Sequence, residues 1–171
     1  IKNNSNVIDL GTGTGILSIL LSGKTNLKKI YGIEIQKDIA NMAQRSVKLN
    51  KLEDKIEIIN TDIKKLRDIF EINTFDSIVT NPPYKNQDTG KVNENEYKYI
   101  SRHETTANLS DFIKISVQLL KDKGSFYMVH RPERLIDIIY ELRSHKLEPK
   151  NIKFVYSNKE KEPKLVLIKA V

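Results

Sequence analysis

The chain contains no cysteine and no tryptophan, only three histidines, and no apolar run that approaches the length of a membrane-spanning helix. Without cysteine there are no disulfides, no thiolate zinc sites and no thiol nucleophile. No histidine or carboxylate spacing suggests a metal site, and no metal is expected. There is no secretory signal, so a soluble protein of a reducing, cytoplasmic compartment is expected, with no membrane partner. Glycine (7) and proline (5) are too sparse for a low-complexity tract, and no internal repeat is found.

The chain does have 171 residues, 39% of them hydrophobic and 30% charged, a length that gives one compact domain at about 150 residues per domain. The net charge of +7, with a pI near 9.4, leans toward the C-terminal half. That balance permits a polyanionic partner such as nucleic acid without establishing one. The expectation is a single domain over 1–171 that lacks an N-terminal segment of a longer protein.

Short β-branched runs alternate with longer helical stretches, which implies an α/β fold with a mostly parallel sheet. Strands are predicted at Asn6–Leu10, Lys29–Ile35, Ile56–Thr61, Phe75–Thr80, Ser125–His130, Ile152–Tyr156 and Leu165–Val171. Helices are predicted at Gly15–Ser22, Lys37–Asn50, Leu109–Lys121 and Pro132–His145, with a short one at Ile63–Ile69. In the Leu109 helix, Leu109, Phe112, Ile113, Val117 and Leu120 follow the spacing of one buried face. The last two strands leave no room for a helix between them and should form an antiparallel hairpin at a sheet edge. Lys85–Asn108 is polar and too long for an ordinary connection, as functional or disordered loops are.

The run Val7-Ile8-Asp9-Leu10-Gly11-Thr12-Gly13-Thr14-Gly15 ends a strand and opens a helix, so its backbone can approach a ligand closely at a helix N-terminus. A dinucleotide fingerprint would place its third glycine at position 16, which is Ile. The spacing fits instead the glycine turn of S-adenosyl-L-methionine (AdoMet) enzymes, with Gly11, Thr12, Gly13 and Gly15 around the ligand and Asp9 toward its cationic methionine end. The bland alternative is a tight strand-to-helix turn capped by Asp9. Glu34, about twenty residues on, is placed to accept both ribose hydroxyls. Asp62, at the third strand end, is placed to accept the adenine amine, with Ile35 and Ile63 sandwiching the ring. Singly, Glu34 or Asp62 reads equally well as a helix N-cap or a solvated acid; their convergence on three adjacent strand ends points to a cofactor.

Asn81-Pro82-Pro83-Tyr84 follows the fourth strand. An amine conjugated to a ring or carbonyl is a poor nucleophile because its lone pair is delocalised. If the Asn81 side-chain oxygen and the Pro82 carbonyl each accept one N–H, that lone pair is aimed outward, and the two prolines fix the carbonyl's direction. Tyr84 offers a face for a flipped planar base. Positioning and electrostatics then supply the acceleration without a strong base. The alternative is a rigid proline turn.

DLGTGTG at 9–15, the acidic strand ends and NPPY at 81–84 resemble, in order and spacing, class I AdoMet-dependent methyltransferases of the amino-methylating branch. The resemblance spans nearly the whole chain. It implies a Rossmann-like, seven-stranded sheet of order 3-2-1-4-5-7-6 with strand 7 antiparallel. SRHE at 101–104 and MVHRPERL at 128–135 resemble more narrowly the bacterial adenine-N(6) methyltransferases that modify valine tRNA beside the anticodon. Through this resemblance Lys85, Arg102, His103 and Glu104 order the long loop or contact the target, or else form a polar helix entry. His130, Arg131 and Arg134 follow the fifth strand, where Arg131 meets a phosphate, is solvated, or bridges Glu133 or Asp137. Lys146, Lys150, Lys153, Lys159, Lys161 and Lys164 either track an RNA backbone or are solvated surface.

The leading expectation is methyl transfer to the exocyclic amine of a tRNA adenine, by a monomer or weak dimer. The alternatives are a glutamine amide in a release factor, ribosomal-RNA or DNA adenine, and a nucleotide- or RNA-binding module without catalysis.

Overall fold

The computed structural model describes residues 1–83, 107–158 and 160–171. Tyr84, Lys85, Arg102, His103, Glu104, Lys159 and most of the Lys85–Asn108 segment lie outside the described residues.

Strands β1 (Asn6–Leu10), β2 (Lys29–Glu34), β3 (Ile56–Asn60), β4 (Phe75–Thr80), β5 (Leu120–His130), β6 (Pro149–Tyr156) and β7 (Pro163–Ala170) form one sheet of order β3-β2-β1-β4-β5-β7-β6. The pairs from β3 through β5 are parallel, while β7 runs antiparallel to both β5 and β6. This is the expected order, and the short β6–β7 connection is the reason for the reversal. Helices α1 (Ile16–Lys24) and α2 (Lys37–Leu49) follow β1 and β2, and α3 (Leu109–Leu119) and α4 (Leu135–Ser144) flank β5. The chain moves outward from β1 in one direction and from β4 in the other, which opens a crevice at their carboxyl ends.

The cores follow strand alternation. Ile8, Leu10, Ile78, Phe126 and Met128 pack with Phe112, Ile113 and Ile138 of α3 and α4. Val7, Ile30 and Val79 pack with Val47 of α2. Tyr31, Phe70 and Phe75 interlock edge to face, with centroids 5.0–5.7 Å apart. Asn108 caps α3 by accepting from the Asp111 amide, while Asp111 accepts from the Asn108 amide.

The main differences from the sequence expectation fall at four places. The Leu109 helix stops at Leu119, and Leu120 already pairs with Phe75; the regular ladder resumes at Ser125 opposite Ser77, after a turn in which Lys123 has φ 57°. Ile63–Asp68 is a 3-10 helix, and the Pro132 helix divides into a 3-10 turn (Pro132–Arg134) and α4. β6 starts earlier, at Pro149, opposite Ala170.

Candidate functional site

The glycine turn crosses the carboxyl end of β1 with Gly11, Gly13 and Gly15 at φ 73°, 57° and 84°, where any side chain is strained. Beneath it, Asp9 is 1% exposed, and its Oδ2 accepts from the Thr12 hydroxyl at 2.7 Å and the Ser18 hydroxyl at 2.8 Å. Burial pushes the Asp9 carboxyl up to about 6, against the pull of these two donors, and the Glu34 charge adds to the rise. The alternative reading, in which Asp9 braces the turn, is thus met through two hydroxyls. Ser18, one turn into α1, is a member of this network that sequence reasoning missed.

Glu34 is buried at the end of β2 and spans two backbones. Its Oε2 accepts from the Gly13 amide at 3.0 Å and its Oε1 from the Gln36 amide at 2.9 Å. The carboxylate therefore ties the second strand end to the glycine turn and keeps lone pairs for a further donor. Asp62 is the N-cap of the 3-10 helix, accepting from the Lys64 amide at 2.9 Å, so the N-cap reading holds while its position beside the crevice is retained.

The strand ends enclose a cleft of about 220 Å³ lined by Gly11, Glu34, Ile35, Asp62, Ile63 and Asn81. With Pro83, which also lines it, seven residues singled out from sequence thus meet in one cavity. Ile33, Gln36, Ala107 and Phe112 complete the lining. Of these, Phe112 was legible only as a core residue of its helix. Asp9, Thr12, Gly13 and Gly15 do not line the cleft; they shape the turn that forms its floor. Asn81 and Pro83 are exposed and Pro82 is buried, just past β4, whose Thr80 hydroxyl donates to the Leu10 carbonyl at 2.8 Å.

His130 closes β5 and is 5% exposed. Its Nδ1 accepts from the Arg131 amide at 2.8 Å, and burial, with the Arg134 and Arg131 charges, holds the imidazole below its usual value. A neutral ring with its proton on Nε2 follows. Arg131 is exposed, and it is Arg134 that bridges Asp137, at 2.6 Å. Among the described residues, no group of three His, Cys, Asp or Glu is placed to hold a metal, and no helix is long and apolar enough to cross a membrane.

Residues 1–145 match the family described as methyltransferase small domain. Over 162 residues the chain is 28% identical to a protein from Porphyromonas gingivalis named tRNA1(Val) (adenine(37)-N6)-methyltransferase, covering 94% of this chain and 63% of that one. A protein of the same name from Haemophilus influenzae is 32% identical over 130 residues, covering 75% of this chain and 54% of its own. The chain thus spans a little over half to about two thirds of these relatives' length. A SAM-dependent methyltransferase from Aquifex aeolicus superposes with a TM-score of 0.72 at 18% identity, over 99% of this chain and 82% of that one. Ribosomal protein L11 methylase from Lactobacillus delbrueckii subsp. bulgaricus gives 0.71 at 20% identity, over 100% and 71%. These two likenesses show the shared fold. With the family match covering most of its length, the chain belongs to the methyltransferase small domain family.

Proposed function

We propose that the protein transfers a methyl group from AdoMet to the exocyclic N6 of an adenine in tRNA, with valine tRNA as the substrate. The observation that carries this reading is the shared cleft, in which the ends of β1, β2 and β4 and the start of the Ile63 helix bring Glu34, Ile35, Asp62, Ile63 and Asn81 together. Apolar walls with two carboxylates among them fit a nucleoside: Ile35 and Ile63 take the ring faces, Glu34 the ribose hydroxyls and Asp62 the ring amine. The buried Asp9 and Glu34 carboxylates favour a cationic ligand beside the glycine turn. The relatives' names supply the adenine and the valine tRNA.

AdoMet, when bound, supplies an electrophilic methyl carbon on a sulfonium. The protein's own part is orientation. The Asn81 side-chain oxygen and the Pro82 carbonyl accept the two N–H groups of the amine and turn its lone pair toward that carbon. Pro82 and Pro83 hold the geometry without further ordering. Tyr84 stacks on the base, and Lys85, Arg102, His103, His130 and Arg131 serve the target RNA. The proposal concerns the whole protein, since the chain spans only part of its relatives' length.

The test offers labelled AdoMet and full-length protein to an unmodified valine-tRNA transcript and, separately, to a release factor. Label in the adenine supports the reading, and label confined to the release-factor glutamine replaces it with the amide alternative. Asn81→Ala is expected to slow turnover by about 100-fold or more while AdoMet affinity changes by no more than a few-fold. Unchanged turnover in this variant would mean that the Asn81 corner does not orient the amine.

A further inference from the structure

We propose that the β6–β7 hairpin is the docking surface for the single-stranded RNA that flanks the target base, with Phe154 and Tyr156 as stacking platforms and Lys153, Lys161 and Lys164 as phosphate contacts. The inference rests on the RNA reading above and assigns that substrate a surface outside the cleft.

The register carries it. Met128 pairs with Thr80 on one side and Ile168 on the other, and Ile168 pairs with Ile152, so Ile152 lies level with the last residue of β4. His130, Val166 and Phe154 form the next row toward the crevice. β6 runs parallel to β4, so Phe154 and then Tyr156 rise past the level of Asn81 on the same edge of the sheet. Three strand spacings separate them laterally, about 14 Å.

β6 is also left bare. Val166 and Ile168 are buried in the core under the helices, but their partners Phe154 and Ile152 on the same face remain 39% and 41% exposed, and Tyr156 is 53% exposed. Every residue of β6 from Lys150 to Tyr156 is exposed. An exposed apolar edge strand is an aggregation liability, and lysines alone are the usual way to blunt it. Placing two aromatic rings among them works against that purpose and calls for something that covers the rings. Lys153, on the opposite face of β6 from Phe154, and Lys161 and Lys164, toward the turn, are exposed and take part in no ion pair among the described residues, whereas Glu160 and Glu162 are confined to the turn. Aromatic faces on an edge strand that also carries exposed cations suit a chain of stacked bases and phosphates better than an acidic or apolar peptide.

The test measures binding of full-length protein to unmodified valine-tRNA transcript, together with methyl transfer and AdoMet affinity. Phe154→Ala/Tyr156→Ala is expected to raise the RNA Kd about ten-fold or more at unchanged AdoMet affinity, the latter confirming an intact fold. Phe154→Leu/Tyr156→Leu should bind as weakly as the alanine pair, since leucine keeps apolar bulk but has no ring face; recovery of binding in it overturns stacking. Lys153→Ala/Lys161→Ala/Lys164→Ala should flatten the dependence of log Kd on log salt by about 2, at roughly 0.7 per phosphate contact on a single strand. Photocrosslinks from the transcript to the parent protein should fall within 149–171. Parental affinity and salt slope in all variants, or crosslinks confined elsewhere, overturn the hairpin assignment. A parent that leaves RNA unlabelled overturns the functional reading itself, and the hairpin proposal falls with it.

Discussion

Asp9 places an ionisable group in the interior with neutral donors and no cation for company. Its folded value of about 6 lies above the ordinary 3.8, so the folded protein binds this proton more tightly than the unfolded chain does. Stability from this group is therefore fully present below pH 3.8 and is lost as pH rises to about 6, a change of roughly 3 kcal/mol at 1.36 kcal/mol per unit. Asp76 behaves oppositely. Burial would raise it, but the Lys121 ammonium at 2.7 Å and the Asn6 amide outweigh that and hold it below 3.8, so its contribution disappears only at lower pH. The two windows do not overlap. His130, held below its usual value, works in the opposite sense over the same range, so the comparison is between proteins: urea titrations at pH 4.5 and pH 7.5 should show the parent faring worse toward neutrality than Asp9→Asn does. An identical pH difference in the two proteins would remove the buried charge from the account. The Asn81 variant belongs to the same scale, with a different readout: Asp9 acts on stability and Asn81 on turnover.

At the scale of elements, β2 passes so close under the glycine turn that Gly32 has no room for a side chain. A Cβ there would meet Ile58 Cδ1 at 2.7 Å and the Thr12 side chain at 3.0 Å. Ile58 can swing its terminal methyl aside, but Thr12 is fixed by its bond to Asp9. Gly32→Ala is expected to cost about 1–3 kcal/mol and to weaken AdoMet binding, as read by denaturation and calorimetry on the same sample; a loss of stability with full cofactor affinity would show that Ile58 alone yields. This close approach was invisible in sequence, where Gly32 is one residue of an apolar strand. The strands and their ligand-edge carboxylates were legible because β-branched runs and strand-end positions are local signals. Helix α1 was less so: its sequence reads as apolar, yet Ile16 and Leu20 are exposed at 66% and 49% while Ser18 and Ser22 are buried. Asp9 is the reason, since its carboxylate draws the Ser18 hydroxyl inward. The early end of α3 was hidden in the same way, because only the pairing of Leu120 with Phe75 ends that helix.

Across the whole molecule, connection length made the antiparallel last hairpin legible, while the strand order came from the resemblance. What sequence could not provide was how little of β6 is covered, every residue from Lys150 to Tyr156 being exposed, because that depends on packing of elements far apart in the chain. The same organisation links the cleft to global stability. Its lining comes from β2, β3-to-helix and β4 connections and from α3, so it cannot persist once the sheet melts, and a ligand that fills it binds only the folded state. AdoMet at 100 times its Kd should then stabilise the fold by about 2.7 kcal/mol. For a domain of this size that corresponds to roughly 5–10 °C in Tm. NAD, which needs a pyrophosphate seat and a glycine where Ile16 stands, should give no comparable shift. Differential scanning fluorimetry of full-length protein with each ligand decides the matter: a shift with NAD and none with AdoMet would mean that the glycine turn serves a dinucleotide, and Glu34 and Asp62 would lose the roles assigned to them.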